Sequence, residues 1–252
     1  MTEKFEPNTL RSEHLSEPKE PIIACIGTGA SYLNEKRKSE FNMKADDKET
    51  LFVDFRGDEQ NLAELHIASH EEQSYMISSL DGKNKRSEEY VNCTGVAAVG
   101  REKISGENIS FLSHQCPKWF LLSDKNKEIF LSGLEKILSE IKERCQKGTI
   151  DTVIFGGNYV AGDSMNSEYT KQRYIESIET LSKAITDVLG FQPVVITEPK
   201  PFSGEDDVIF ETNTRRLFLR RPQKNATAKD TIRSESFLPE DIQKKRSEWD
   251  KK

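Results

Sequence analysis

NCTGVAAVGREKISGENISFLSHQCP, residues 92–117, holds two apolar runs joined by a polar turn, with Cys93 opening the first run and His114 closing the second. Two such runs around a turn rich in Gly, Ser, Glu and Asn predict an antiparallel hairpin. In a hairpin the first residue of one strand faces the last residue of the other, so the 21 positions between Cys93 and His114 collapse to contact distance. A thiol and an imidazole are therefore expected at one end of a sheet. Cys116-Pro117 ends the pairing, because proline has no N–H to give to a ladder.

Downstream, residues 123–148 carry the strongest helical pattern. Ser123 or Asp124 can cap it, Phe130, Leu134, Ile137, Leu138, Ile141 and Cys145 form one apolar stripe, and Gly148 is the expected C′ residue. Residues 149–160 predict a strand that breaks at Gly156-Gly157, where backbone can approach another element closely. A second amphipathic helix over 168–189 ends at Gly190, followed by a strand at 191–197 and a hairpin over 207–221 around Asn213.

Upstream, the fold is expected to begin at Pro21 with a buried strand ending in Gly27. The Gly-Thr-Gly that follows lacks the third glycine of a dinucleotide loop, since Tyr32 stands there. A strand is predicted at 51–55, a helix at 59–80 and a polar connector at 80–90. Leu62, Leu65, His66, Ser69 and Gln73 line one side of that helix. His66 and His70, four apart, would share a face as in some zinc sites, but no further ligand accompanies them, and they read as exposed histidines. This order is not a regular βαβ alternation. It predicts a mixed α/β (α+β) domain over residues 21–222, a largely antiparallel sheet flanked by helices, with residues 1–20 and 223–252 as charged, loosely attached tails.

Composition narrows the partners. The 252 residues are 35% hydrophobic and 32% charged, with a net charge of −6, which gives no electrostatic reason to expect nucleic acid or an anionic membrane. The run Arg215, Arg216, Arg220, Arg221 is short, is interleaved with Leu217, Phe218 and Leu219, and reads as the solvated face of a strand. No apolar run approaches the ~18–20 residues of a membrane span, and the N-terminus lacks a signal-peptide layout, so a cytosolic setting is expected. The four cysteines, Cys25, Cys93, Cys116 and Cys145, are irregularly spaced and predict thiols rather than a disulfide framework.

A cysteine at a strand start, followed by Thr94-Gly95 and facing a histidine, has the requirements of nucleophilic catalysis: the imidazole lowers the thiol pKa and acts as base. The ordered set N-C-T-G-V-A-A-V, I-S-F-L-S-H-Q, T-V-I-F-G-G-N (152–158), P-V-V-I-T and V-I-F-E-T-N-T-R-R-L-F-L-R-R resembles the CheD-type protein glutamine deamidases over about residues 85–221. The resemblance extends to deamidating toxins of the cytotoxic necrotizing factor type and to amidohydrolases acting on N-terminal asparagine. It implies hydrolysis of a carboxamide without a cofactor or metal, on a protein substrate, with Cys93 as nucleophile and His114 as base.

In the family a hydroxyl residue upstream of the cysteine orients the histidine, and Ser87 is the nearest match here. Ser113, Gln115 and Asn158 also come into question, although Ser113 and Gln115 flank His114 on a strand and should face away. Backbone amides at Cys93 and Thr94 would hold the oxyanion, with Asn92, Gly156, Gly157 and Asn158 lining the site. This chain departs from the family in reading V-N-C where G-S-C is usual, in a longer link between Cys and His, and in EPKPFSGEDD where a glycine-rich segment is expected. The charged tails lean towards an effector acting in a host cell rather than a minimal chemotaxis enzyme. Two other readings stand beside the enzyme: an inactive interaction module on the same fold, and a zinc site using Cys93, His114 and Cys116.

Overall fold

The computed structural model describes residues 24–27, 49–53, 65–67, 75–90, 92–157, 167–196 and 206–220. Among them the strands are β1 (Ala24–Gly27), β2 (Leu51–Phe52), β3 (Leu65–Ile67), β4 (Tyr75–Ser78), β5 (Lys85–Ser87), β6 (Thr94–Arg101), β7 (Asn108–Gln115), β8 (Asp151–Gly156), β9 (Val194–Ile196), β10 (Asp207–Glu211) and β11 (Arg216–Arg220). The helices are α1 (Pro117–Phe120), α2 (Asp124–Arg144) and α3 (Ser167–Leu189). The fold is mixed α/β and largely antiparallel, as the pattern predicts. The strands divide, however, between two sheets, in the orders β1-β11-β10-β5-β2 and β3-β4-β7-β6-β8-β9.

The hairpin quoted above supplies the two central strands of the six-stranded sheet, and both of its faces are covered. Val96, Ala98, Ile109, Phe111 and Ile154 pack against Phe130, Leu134, Ile137 and Ile141 of α2 and Leu181 and Ile185 of α3. On the other face Ala97, Val99, Leu112, Val153 and Phe155 pack against Val208, Phe210, Leu217 and Leu219 of the five-stranded sheet. A strand buried on both faces reads as a continuous apolar run, which is the pattern of residues 94–100. The result is three layers, sheet on sheet on helices.

Helix α2 starts as predicted, with Ser123 Oγ accepting from the Asn126 N–H at 3.2 Å. Its end differs. Cys145, buried as expected, leaves the helix in an extended conformation and bridges to Glu102, while Gln146 N–H donates to the Arg101 carbonyl. Pairing with the end of β6 therefore takes over from the helix, and Gly148 serves the later turn into β8. Among the described residues no helix is long and apolar enough to cross a membrane.

Three predicted segments take another form. Within the span 59–80, expected as a helix, the described residues form strands instead: β3 and β4 pair antiparallel, with His66 opposite Ile77. Tyr75 to Ser78 are all buried because β4 lies against β7 in the middle layer. His70 lies outside the described residues, as do residues 1–20 and 223–252. Arg215 is not solvated but buried: its guanidinium donates to Thr149 O at 2.8 Å and to Asn108 Oδ1 at 2.8 and 3.1 Å, tying the β10–β11 turn to the start of β7.

The connector expected at 80–90 contains β5, an inner strand of the five-stranded sheet between β10 and β2. Its Lys85 is fully buried, with Nζ donating to Asp81 Oδ1 at 2.9 Å and to the Lys83 carbonyl at 2.7 Å. Burial pushes the Lys85 ammonium down from 10.5 to about 8, against the opposing pull of Asp81. Burial also pushes the Asp81 carboxyl up, but Lys85 and hydrogen bonds from Ser79 and the Lys83 N–H outweigh it and hold Asp81 below its ordinary value.

The folded state thus binds the Lys85 proton more weakly than the unfolded chain does, so folding gains stability as pH rises from about 8 to 10.5. Between those limits the wild type should gain up to about 3 kcal/mol relative to Lys85→Met, measured by urea denaturation of both proteins across that range.

Candidate active site

The register of the central hairpin fixes what stands at its open end. Thr94 pairs with Gln115, and the same register runs through Ala97–Leu112 to Arg101–Asn108. One step beyond Thr94, Cys93 therefore stands opposite Cys116, with His114 one diagonal position away. The expectation that His114 directly faces Cys93 is corrected by two positions. Because the pleat repeats every two residues, the face is unchanged: Cys93 packs on the inter-sheet core with Ala97 and Val99, and His114 and Cys116 follow Leu112 on that same side.

His114 is buried and held from the opposite sheet. Ser87 Oγ lies 3.0 Å from His114 Nδ1, and the same hydroxyl donates to the Val53 carbonyl just past β2. A serine hydroxyl has one proton, and Val53 O receives it. Ser87 Oγ must then accept from Nδ1–H, so Nε2 is the ring nitrogen left to give or take a proton. The Tyr90 ring stacks on the imidazole with centroids 4.0 Å apart and planes at 17°. Tyr90 is fixed in turn by its hydroxyl donating to the Ser113 carbonyl at 3.0 Å and by its own N–H donating to Asp206 O at 3.0 Å.

Cys93 is half-buried and its backbone is pinned by the Phe-Gly-Gly end of β8. The Gly157 N–H donates to the Cys93 carbonyl at 2.7 Å. Gly156 and Gly157 both have left-handed backbones, φ 75° and 79°, and a Cβ at Gly156 would sit 2.7 Å from that carbonyl. These glycines therefore shape the turn that holds Cys93. Asn92 is exposed beside it, and Asn158 lies outside the described residues. Ser113 and Gln115 point away from His114, as expected, and the side chain of Thr94, expected to line the site, goes with them because it alternates with Cys93. Thr94 Oγ1 lies 3.0 Å from Ser177 Oγ of α3 and accepts from Gln115 Nε2 at 3.2 Å, while Ser113 Oγ accepts from the Val96 N–H at 2.9 Å.

Cys116 caps α1 with Pro117 at its first turn. A hydrogen bond with Cys93 draws the Cys116 thiol down from 9.0 to about 7; burial opposes this, and the backbone N–H groups of Lys118 and Trp119 assist it. Burial pushes the Cys145 thiol the other way, up to about 11. No disulfide links Cys93, Cys116 or Cys145.

The structure thus brings Ser87 and His114 together and places Cys93 on the same face. The signal for Ser87 in the sequence was only its position upstream of the cysteine. Tyr90 and the Val53 carbonyl were missed; a lone aromatic ending a charged segment was the one available sign of Tyr90. Among the described residues no group of three His, Cys, Asp or Glu side chains is placed to hold a metal ion. No family model matches the chain, and no curated protein matches it.

Gly156→Ala and Gly157→Ala should each cost about 2–4 kcal/mol, combining a left-handed alanine with a steric contact. Gly190→Ala has a similar φ of 82° but no atom within 4 Å of its Cβ, and should cost only about 1–2 kcal/mol. Guanidinium denaturation of the three variants measures the difference.

Proposed function

We propose that this protein is a cysteine-dependent amidohydrolase that deamidates glutamine side chains of a protein substrate. The observation that carries the reading is the Ser87–His114 hydrogen bond, which leaves Nε2 as the basic atom of a buried imidazole on the face that bears Cys93. The resemblance to CheD-type deamidases supplies the substrate class. It also fits the turn at Gly156-Gly157, whose amide secures the backbone of the proposed nucleophile.

In this reading His114 Nε2 takes the Cys93 proton and the thiolate attacks the amide carbon. Backbone amides at Cys93 and Thr94 receive the oxyanion, each donor contributing ~3 kcal/mol. His114 returns the proton to the leaving ammonia, and a thioester remains on Cys93. Water, deprotonated by the same nitrogen, hydrolyses the thioester to a glutamate side chain and restores the thiol. Ser87 is a positioning residue: it holds Nδ1 as the donor and touches neither substrate nor thiol. Tyr90 restrains the ring from its face. The expected setting is a thiol-reducing cytosol, the protein's own or that of a host cell it enters as an effector.

Incubating the protein with candidate lysates should raise specific glutamines by about 1 Da in peptide mass spectra, and Cys93→Ser and His114→Ala should abolish this. Ser87→Ala should lower kcat roughly 10–100-fold with little change in KM, as for other residues that orient a functional histidine. Wild-type incubations with no shifted glutamine that Cys93→Ser lacks would remove the reading.

A further inference from the structure

We propose that Cys93 and Cys116 form a reversible oxidation site, in which a hydroperoxide converts the two thiols to a disulfide and so silences the residue assigned as nucleophile. The silencing rests on the function proposed above; the disulfide does not.

The geometry comes from the ladder. Continuing the register one step beyond its last pair, Thr94 and Gln115, brings Cys93 and Cys116 opposite one another on the same face, and Cys116 keeps an extended backbone, φ −100° and ψ 110°, before α1 begins. Opposed residues in such a ladder have Cα atoms about 4.5 or 5.5 Å apart, depending on the hydrogen-bonding site, and both spacings lie within the ~4.4–6.8 Å that a disulfide spans. Cys93 is also the largest influence lowering the Cys116 thiol, in agreement with the two side chains being neighbours. Both ends are held in place: the Cys93 carbonyl by the Gly157 N–H, and the Cys116 carbonyl by the N–H groups of Trp119 and Phe120 at 2.9 and 3.0 Å. Both side chains are half-buried, within reach of a small oxidant, whereas Cys145 is enclosed between β6 and α2.

Cys116, whose thiol Cys93 draws below its ordinary value, is assigned the attacking role. Its thiolate attacks the outer oxygen of the hydroperoxide; the O–O bond breaks, the alkoxide leaves as alcohol, and Cys116 becomes a sulfenic acid. Cys93 then attacks that sulfur, the S–O bond breaks, and the hydroxyl leaves with the Cys93 proton as water. The two thiols lose two electrons and two protons, and the hydroperoxide is reduced to alcohol and water. A dithiol reductant reverses the step by thiol exchange.

The full-length protein, treated with a few equivalents of hydrogen peroxide at pH 7, should lose about 2 Da in intact mass as one disulfide forms. Peptide mapping should join the Cys93 and Cys116 peptides, dithiothreitol should separate them, and Cys145 should stay alkylatable. In Cys116→Ser the same treatment should add oxygen to Cys93 instead. Deamidation by the wild type should fall with peroxide and recover with dithiothreitol. The proposal is overturned if both thiols remain alkylatable, if each takes up oxygen separately, if either links to Cys25, or if the mapped disulfide leaves deamidation intact. A mapped disulfide in a protein that deamidates nothing would sink the proposed function while keeping the oxidation site.

Discussion

The hydrogen bond from His114 to Ser87 crosses from one sheet to the other, and much of the architecture follows from making it possible. Ser87 can reach the imidazole only if β5 turns that residue inward. Since side chains alternate along a strand, Lys85 must then also point inward, and the five-stranded sheet acquires a buried ammonium. Asp81 and the Lys83 carbonyl offset that desolvation within one local turn. The buried lysine is thus a consequence of the serine's orientation. It also explains why a segment as polar as residues 80–90 forms an inner strand.

The two sheets are pinned to one another at both ends of β7. At its start, Arg215 spans from the β10–β11 turn to Asn108 and to the Thr149 carbonyl. At its finish, Ser87 and Tyr90 close over His114. Between these clamps lie apolar contacts such as Leu112 with Phe210 and Leu217, which tolerate sliding better than directional bonds do. The polar clamps therefore set the alignment of the layers, and the apolar filling provides the driving force.

How much of this could be read from the chain depended on whether the cue was local. Helix α2, the β10–β11 hairpin and the β6–β7 hairpin carry complete signals within ten to twenty-five residues: a cap, a stripe, a turn flanked by apolar runs. Strands β4 and β5 do not. Tyr75-Met-Ile-Ser is buried on both sides by layers far away in sequence, and Lys85-Arg-Ser becomes a strand only when a partner sheet and Asp81 accept it. The pairing of Cys93 was missed by two positions, because hairpin register depends on turn geometry that composition alone does not give. A slip of two keeps every side chain on its face, so Cys93 and His114 still share one end of the sheet while Cys116 takes the facing position expected for His114.

A hydroxyl behind the imidazole, where many cysteine and serine hydrolases place a carboxylate, orients the ring without adding negative charge. Ser87 gives its proton to Val53 and so can only accept from His114; a backbone carbonyl one residue beyond β2 thereby decides that Nδ1 is the donor. The thiols are biased from elsewhere: Cys93 first, and the backbone N–H groups of Lys118 and Trp119 more weakly, hold the Cys116 thiol below its ordinary value against the effect of burial. Cys93 is the largest influence lowering the Cys116 thiol, so the ionisation of the two side chains is linked and a substitution at either alters the proton affinity of the other.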